Sequence, residues 1–212
     1  MKLTSIQVGK PKEVEWQGKL VSTGIFKSPV PGPVLARKLG LEGDGQADLT
    51  VHGGERKAVY AYGDDAYPWW KNRLENEELP PGSFGENLTF TTLEERSIFI
   101  EDRYRLGEAE LVVTEPRFPC FKLGIKFRDM GILKTFLESG RSGVYFAVAK
   151  EGKISLQDRL ELISRPKNLV SIHEFYSAFN EKCRDPEVLG RILNLESLTP
   201  KWRSRFEALL NA

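Results

Sequence analysis

Cys120 stands in the stretch Glu115-Pro116-Arg117-Phe118-Pro119-Cys120-Phe121-Lys122-Leu123, with Arg117 three residues before it and Lys122 two residues after it. Neighbouring cations stabilise a thiolate, the form of cysteine that attacks sulfur or binds soft metals. The other reading is a small hydrophobe packed in a core, as most free cysteines are. Exposure decides between the two, and the sequence leaves both open.

Other groups that could do chemistry lie in separate stretches. In Val51-His52-Gly53-Gly54-Glu55-Arg56-Lys57, paired glycines let the backbone turn tightly or approach a ligand, with His52, Arg56 and Lys57 as donors nearby. His52 could bond a ligand or brace the turn. Lys27 and Ser28 precede three prolines in five residues, and could meet an anion or sit in solvent beside a turn. Asn87 follows another constrained turn, Pro80-Pro81-Gly82-Ser83-Phe84-Gly85-Glu86. The loop Asp44-Gly45-Gln46-Ala47-Asp48 invites a calcium-loop reading. That reading fails because Leu49 stands where the sharp turn needs glycine and no helices flank the loop.

The elements that must position these groups are mostly strands. Residues 3–9, 20–26, 58–62, 88–92, 97–100, 104–106, 109–114 and 144–148 read as strands, with a last one around Leu160 and Leu162. Short strands separated by turn signals argue for a barrel or sandwich rather than a parallel sheet with crossover helices. A hairpin turn is expected at Glu151-Gly152, and helices over residues 64–76 and 130–138 and directly after Cys120. Pro116 and Pro119 cannot donate to a ladder, so the cysteine should sit in a stiff loop between a strand end and a helix. From Ser171 the pattern turns helical. Ser171 with Glu174 makes a capping box, and Asp185-Pro186 and Thr199-Pro200 each read as a cap followed by proline at the first helical position. Two domains are expected: a β-rich unit over 1–165 and three short helices over 166–212.

Composition narrows the class. The chain has 212 residues, 40% hydrophobic, with 31 basic and 30 acidic side chains for a net charge of +1. That balance offers no global reason to expect nucleic acid. No apolar stretch approaches transmembrane length and the first residues lack a signal-peptide core, so a cytoplasmic protein with no membrane association is expected. There Cys120 and Cys183 should be reduced.

Taken in order, these motifs resemble the MOSC domain family, named for the molybdenum cofactor sulfurase C-terminal domain, and its YiiM-like branch in particular. The matching segments are Lys27-Ser28-Pro29-Val30; Leu39 through Asp48; Val51-His52-Gly53-Gly54; Lys57-Ala58-Val59; Phe84-Gly85-Glu86-Asn87-Leu88; Pro116 through Leu123; and Gly140-Arg141-Ser142-Gly143. The resemblance implies a mainly β, barrel-like fold with peripheral helices and a small C-terminal three-helix unit. It also implies a pocket for the pyranopterin molybdenum cofactor, with Cys120 as the metal-ligating, catalytic thiolate. Lys27, Ser28, His52, Gly53, Gly54, Lys57, Asn87, Arg117, Lys122 and Arg141 become candidate cofactor contacts.

The implied activity is reduction of N-hydroxylated compounds such as hydroxylaminopurines. This chain has no room for a pyridoxal phosphate domain and too few cysteines for an iron–sulfur cluster. Electrons should therefore come from a separate protein or reductant, and the three-helix unit is a candidate docking surface for an electron-donor protein. Relatives often show Gly-Asp where this chain has Glu101-Asp102 and Gln157-Asp158, positions that read as hairpin turns. Two other functions stay open: sulfur relay through a Cys120 persulfide, and non-catalytic carriage of the cofactor. Oligomeric state is not legible.

Overall fold

The computed structural model describes residues 1–47, 53–180 and 183–211. Along the chain come β1 (Leu3–Val8), β2 (Lys12–Trp16), β3 (Lys19–Thr23), β4 (Ser28–Pro29), β5 (Val34–Arg37), β6 (Gly40–Leu41) and β7 (Val59–Gly63). Helix α1 (Tyr67–Leu74) and strands β8 (Leu88–Phe90), β9 (Arg103–Leu106) and β10 (Ala109–Pro116) follow. Next are α2 (Phe121–Phe127), α3 (Gly131–Ser139), β11 (Val144–Lys150), β12 (Gly152–Ile154) and β13 (Leu160–Ser164). The chain ends in α4 (Ile172–Phe179), α5 (Pro186–Leu193) and α6 (Pro200–Leu210).

Eight strands form one sheet in the order β13-β9-β10-β11-β7-β8-β1-β4, antiparallel except for the parallel pair β7 and β8. The sheet is barrel-like without being a closed barrel. Its first strand bonds back towards the opposite edge through Leu3 N–H to Asp158 C=O and a bridge between Lys2 and Arg159. The fold is therefore the mainly β, curled architecture expected, with helices at its periphery.

Strand β7 shows how the molecule builds two cores from one strand. All five of its residues are buried. Side chains alternate across a strand, so Val59 and Ala61 enter the main core with Leu111 and Phe146. Tyr60 and Tyr62 point the other way, into an aromatic cluster with Trp70, Phe84 and Phe136.

The C-terminal helices start where their caps predict. Ser171 and Glu174 form both bonds of the capping box, Asp185 accepts from Glu187 N–H, and Thr199 accepts from Trp202 N–H. Helices this short are marginal alone. Here Ile172, Phe175, Leu189, Ile192 and Phe206 are buried in the same core as the strands.

Several local expectations change. Residues 97–100 form turns, with Phe99 making only an isolated bridge to Ser171. Gly152 starts β12 rather than a hairpin: the chain leaves the large sheet to pair with β5. β10 runs on through Pro116, opposite Val144, because that terminal position needs no further donor. Residues 12–16 and 34–37 are strands that prolines and charges concealed in the sequence.

Candidate functional site

The end of β10 carries Glu115, and the loop beyond it carries Arg117, Phe118 and Cys120. Pro119 keeps that loop extended, and Cys120 itself is extended (φ −124°) before α2 begins. Its thiol is free and half-buried. It lines a cavity of about 110 Å³ together with Lys27, Lys57, Asn87, Arg117 and Lys122. That is several times the space one water needs, so side-chain packing leaves the site open.

Each cation is held differently. Lys27 is buried against Asp44 in an ion pair. Burial pulls its pKa below the ordinary lysine range, while Asp44 pulls the other way. Asp44 also accepts from Gly9 N–H at 2.7 Å and from Asn87 Nδ2 at 2.8 Å. Asn87 in turn accepts from Tyr60 N–H at 3.1 Å, which ties the cavity wall to β7.

Lys57 closes a single turn of 3-10 helix (Glu55–Lys57) and pairs with the buried carboxylate of Glu115 at 3.0 Å. The turn is entered through Gly54 at φ 87°, a conformation that favours glycine. Gln46 clamps it at both ends, accepting from Gly54 N–H at 2.7 Å and donating to Lys57 C=O at 3.1 Å.

Arg117 is buried, with its guanidinium 4.9 Å from the Tyr60 ring and 5.2 Å from the Phe136 ring. Burial opposes its charge, and Tyr60, Tyr145 and Cys120 outweigh that opposition, so its pKa is raised. Its Nη1 has no hydrogen-bond partner among the described residues. A buried guanidinium nitrogen left open beside a cavity is costly unless something accepts from it. Burial also pushes the Tyr60 phenol well above its ordinary range, so it stays a neutral donor to Ser142 C=O at 2.9 Å.

The remaining sequence-selected residues lie elsewhere. Ser28 is exposed on β4, paired across from Val8. Arg141 stacks on Trp69 at 5.1 Å outside the cavity lining. Gly53 and Gly54 are not among the lining residues, and Gly54 meets the wall only through its N–H bond to Gln46. His52 falls outside the described residues. Asp44, Gln46, Tyr60 and Tyr145 line the cavity without having been singled out as site residues. Alternation in β7 and β11 marks the tyrosines only as strand residues, and Asp44 was legible only as part of a polar loop.

Among the described residues, four cations line this cavity against one lining carboxylate, that of Asp44. Among the described residues no three His, Cys, Asp or Glu gather to hold a metal ion. The lining cations suit an anionic group, and the cysteine beside them is a soft donor.

A family model for the MOSC domain matches residues 48–161, spanning the turn before Lys57, β10 and the cysteine loop. The chain belongs to the MOSC domain family. Within it, the chain is 39% identical to the Bacillus subtilis protein YflK over 203 residues, covering 95% of this chain and 91% of YflK. It is 37% identical over 169 residues to a protein named Reductase from Gibberella moniliformis, covering 77% of this chain but 29% of that longer protein. The crystal structure of YiiM from Geobacillus stearothermophilus has the same fold, with a TM-score of 0.80 at 33% identity over 99% of this chain and 98% of that one. Among the described residues no helix of this MOSC protein is long and apolar enough to cross a membrane.

Proposed function

We propose that the cavity binds the pyranopterin molybdenum cofactor, with Cys120 as a thiolate ligand to the metal, and that the protein reduces N-hydroxylated compounds such as hydroxylaminopurines. The observation that carries this reading is a free cysteine sharing one cavity with buried Arg117, whose Nη1 has no hydrogen-bond partner among the described residues. Membership of the MOSC family and likeness to a protein named Reductase support it.

When bound, the cofactor would supply two-electron redox chemistry. The chain's own residues do the rest. Arg117 offers a planar donor to a phosphate, with Lys122 as a second positive point on the same cavity. Lys27 and Lys57, already paired with Asp44 and Glu115, lend field without being free to collapse onto the ligand. Neutral Tyr60 packs beneath the guanidinium and keeps water from it. In the net reaction, R–NH–OH takes two electrons from a separate donor protein and two protons from solvent. The N–O bond breaks and R–NH2 and water leave.

The test is molybdenum and pterin content of protein made in a cofactor-competent host, beside Cys120→Ala. Near-stoichiometric molybdenum in the parent, lost in the variant, with hydroxylaminopurine reduction by the loaded protein, is the expected result. Neither metal nor pterin in either protein, with transferable sulfane sulfur on Cys120, would replace this reading with sulfur relay.

A further inference from the structure

The C-terminal helices reach the cavity along two routes. Phe118, two residues before the cysteine, lies within an aromatic cage they supply. Its ring centroid is 4.1 Å from Phe179, 5.1 Å from Trp202, and 5.2 Å from Tyr176, to which it is nearly parallel. The second route is polar. Trp202 Nε1 donates to Glu115 Oε2 at 3.0 Å, and the other oxygen of that buried carboxylate, Oε1, holds Lys57 at 3.0 Å. A carboxylate gripped at both oxygens has its plane set, and with it the direction in which its cation is held.

We propose that Trp202 is a positioning residue of the site: by bonding Glu115 it sets where Lys57 stands on the cavity wall, so α6 is part of the machinery that shapes the positive field around Cys120. Glu115 and Trp202 are 87 residues apart in the chain, and both helix caps and core packing serve to bring them together.

The test uses the full chain without cofactor and reads Cys120 alkylation by peptide mass, with iodoacetate and iodoacetamide as paired probes. Both displace iodide to form the same S–C bond and need the same access, but only iodoacetate is an anion. The ratio of their rates therefore reports the positive field at Cys120 and cancels changes in exposure. Trp202→Phe keeps an aromatic ring and removes the N–H. It should lower the iodoacetate preference about two- to fivefold. Lys57→Met should lower it at least as far, and adding Trp202→Phe to Lys57→Met should lower it no further.

An unchanged ratio in folded Trp202→Phe, or an equal further fall in the Lys57→Met background, would overturn the proposal. Should the phenylalanine variant not fold, benzothienylalanine incorporated at position 202 keeps the bicyclic ring and lacks only the donor, and the same two outcomes apply. Because no metal enters the readout, its result is separate from whether the protein carries molybdenum.

Discussion

Asn87 Nδ2 donates to Asp44 Oδ2 at 2.8 Å, joining the turn before β8 to the loop after β6. Asp44 thereby becomes the shared acceptor for Asn87, the Gly9 N–H and the Lys27 ammonium, and its position defines one side of the cavity.

Asp44→Asn should destabilise the protein by about 3 kcal/mol, because it strands a buried lysine without its countercharge. Urea denaturation measures this. A loss below about 1 kcal/mol would mean that Lys27 is accommodated without the pair.

Arg117→Lys should keep the fold and the charge yet lower affinity for inorganic phosphate about tenfold, since an ammonium cannot reproduce the planar donor pair or the stacking on Tyr60 and Phe136. Calorimetric titration with phosphate is the measurement. Equal affinity in the variant would show that the open Nη1 is not the anion contact.

Stability should rise with pH above neutrality through Lys126. This mostly buried lysine donates to Ile25 C=O at 3.1 Å and to Gly82 C=O, and desolvation pushes its pKa down to about 8. Between pH 8 and the ordinary value of 10.5 the folded chain sheds this proton while the unfolded chain keeps it. Rising pH therefore favours folding there, by at most about 1.4 kcal/mol per pH unit. Lys27, also lowered by burial, acts in the same direction. Denaturation at pH 7.5 and 9.5, on the parent and on Lys126→Met, should show a gain in the parent that is smaller in the variant.

Gln157→Gly should stabilise the fold by about 0.5 kcal/mol. Gln157 is exposed and has φ 78°, in the left-handed region. Relief of about 1–2 kcal/mol of left-handed strain exceeds the 0.5–1 kcal/mol that glycine loses in chain entropy. Glu101 at φ 73° is strained alike, but its Oε1 accepts from Ser197 N–H at 2.7 Å, so Glu101→Gly should gain less or nothing. Melting temperatures of the two variants compare them directly.

Much of this architecture is local and was legible in the chain. Alternation marks β10 and β11, caps and prolines mark the starts of α4, α5 and α6, and the two prolines around Arg117 mark the stiff loop that carries Cys120. The ordered motifs marked the family. Each of these is a statement about neighbours in sequence, where backbone sterics and capping bonds act over a few residues.

What joins the site is not local. Sequence placed Arg141 and Ser28 beside the candidate ligands because they share motifs with them. The loop between α3 and β11 instead lays Arg141 on Trp69, and β4 leaves Ser28 exposed. Conversely, nothing near Glu115 announces that it will hold Lys57 with one oxygen and Trp202 with the other, across separations of 58 and 87 residues. The chain by itself determined most of the strands of the large sheet, the helix starts after residue 171, and that a cysteine would stand between cations. Strand order and the packing of α6 decided which side chains line the cavity and which meet Glu115, because side-chain direction follows from register and from distant partners.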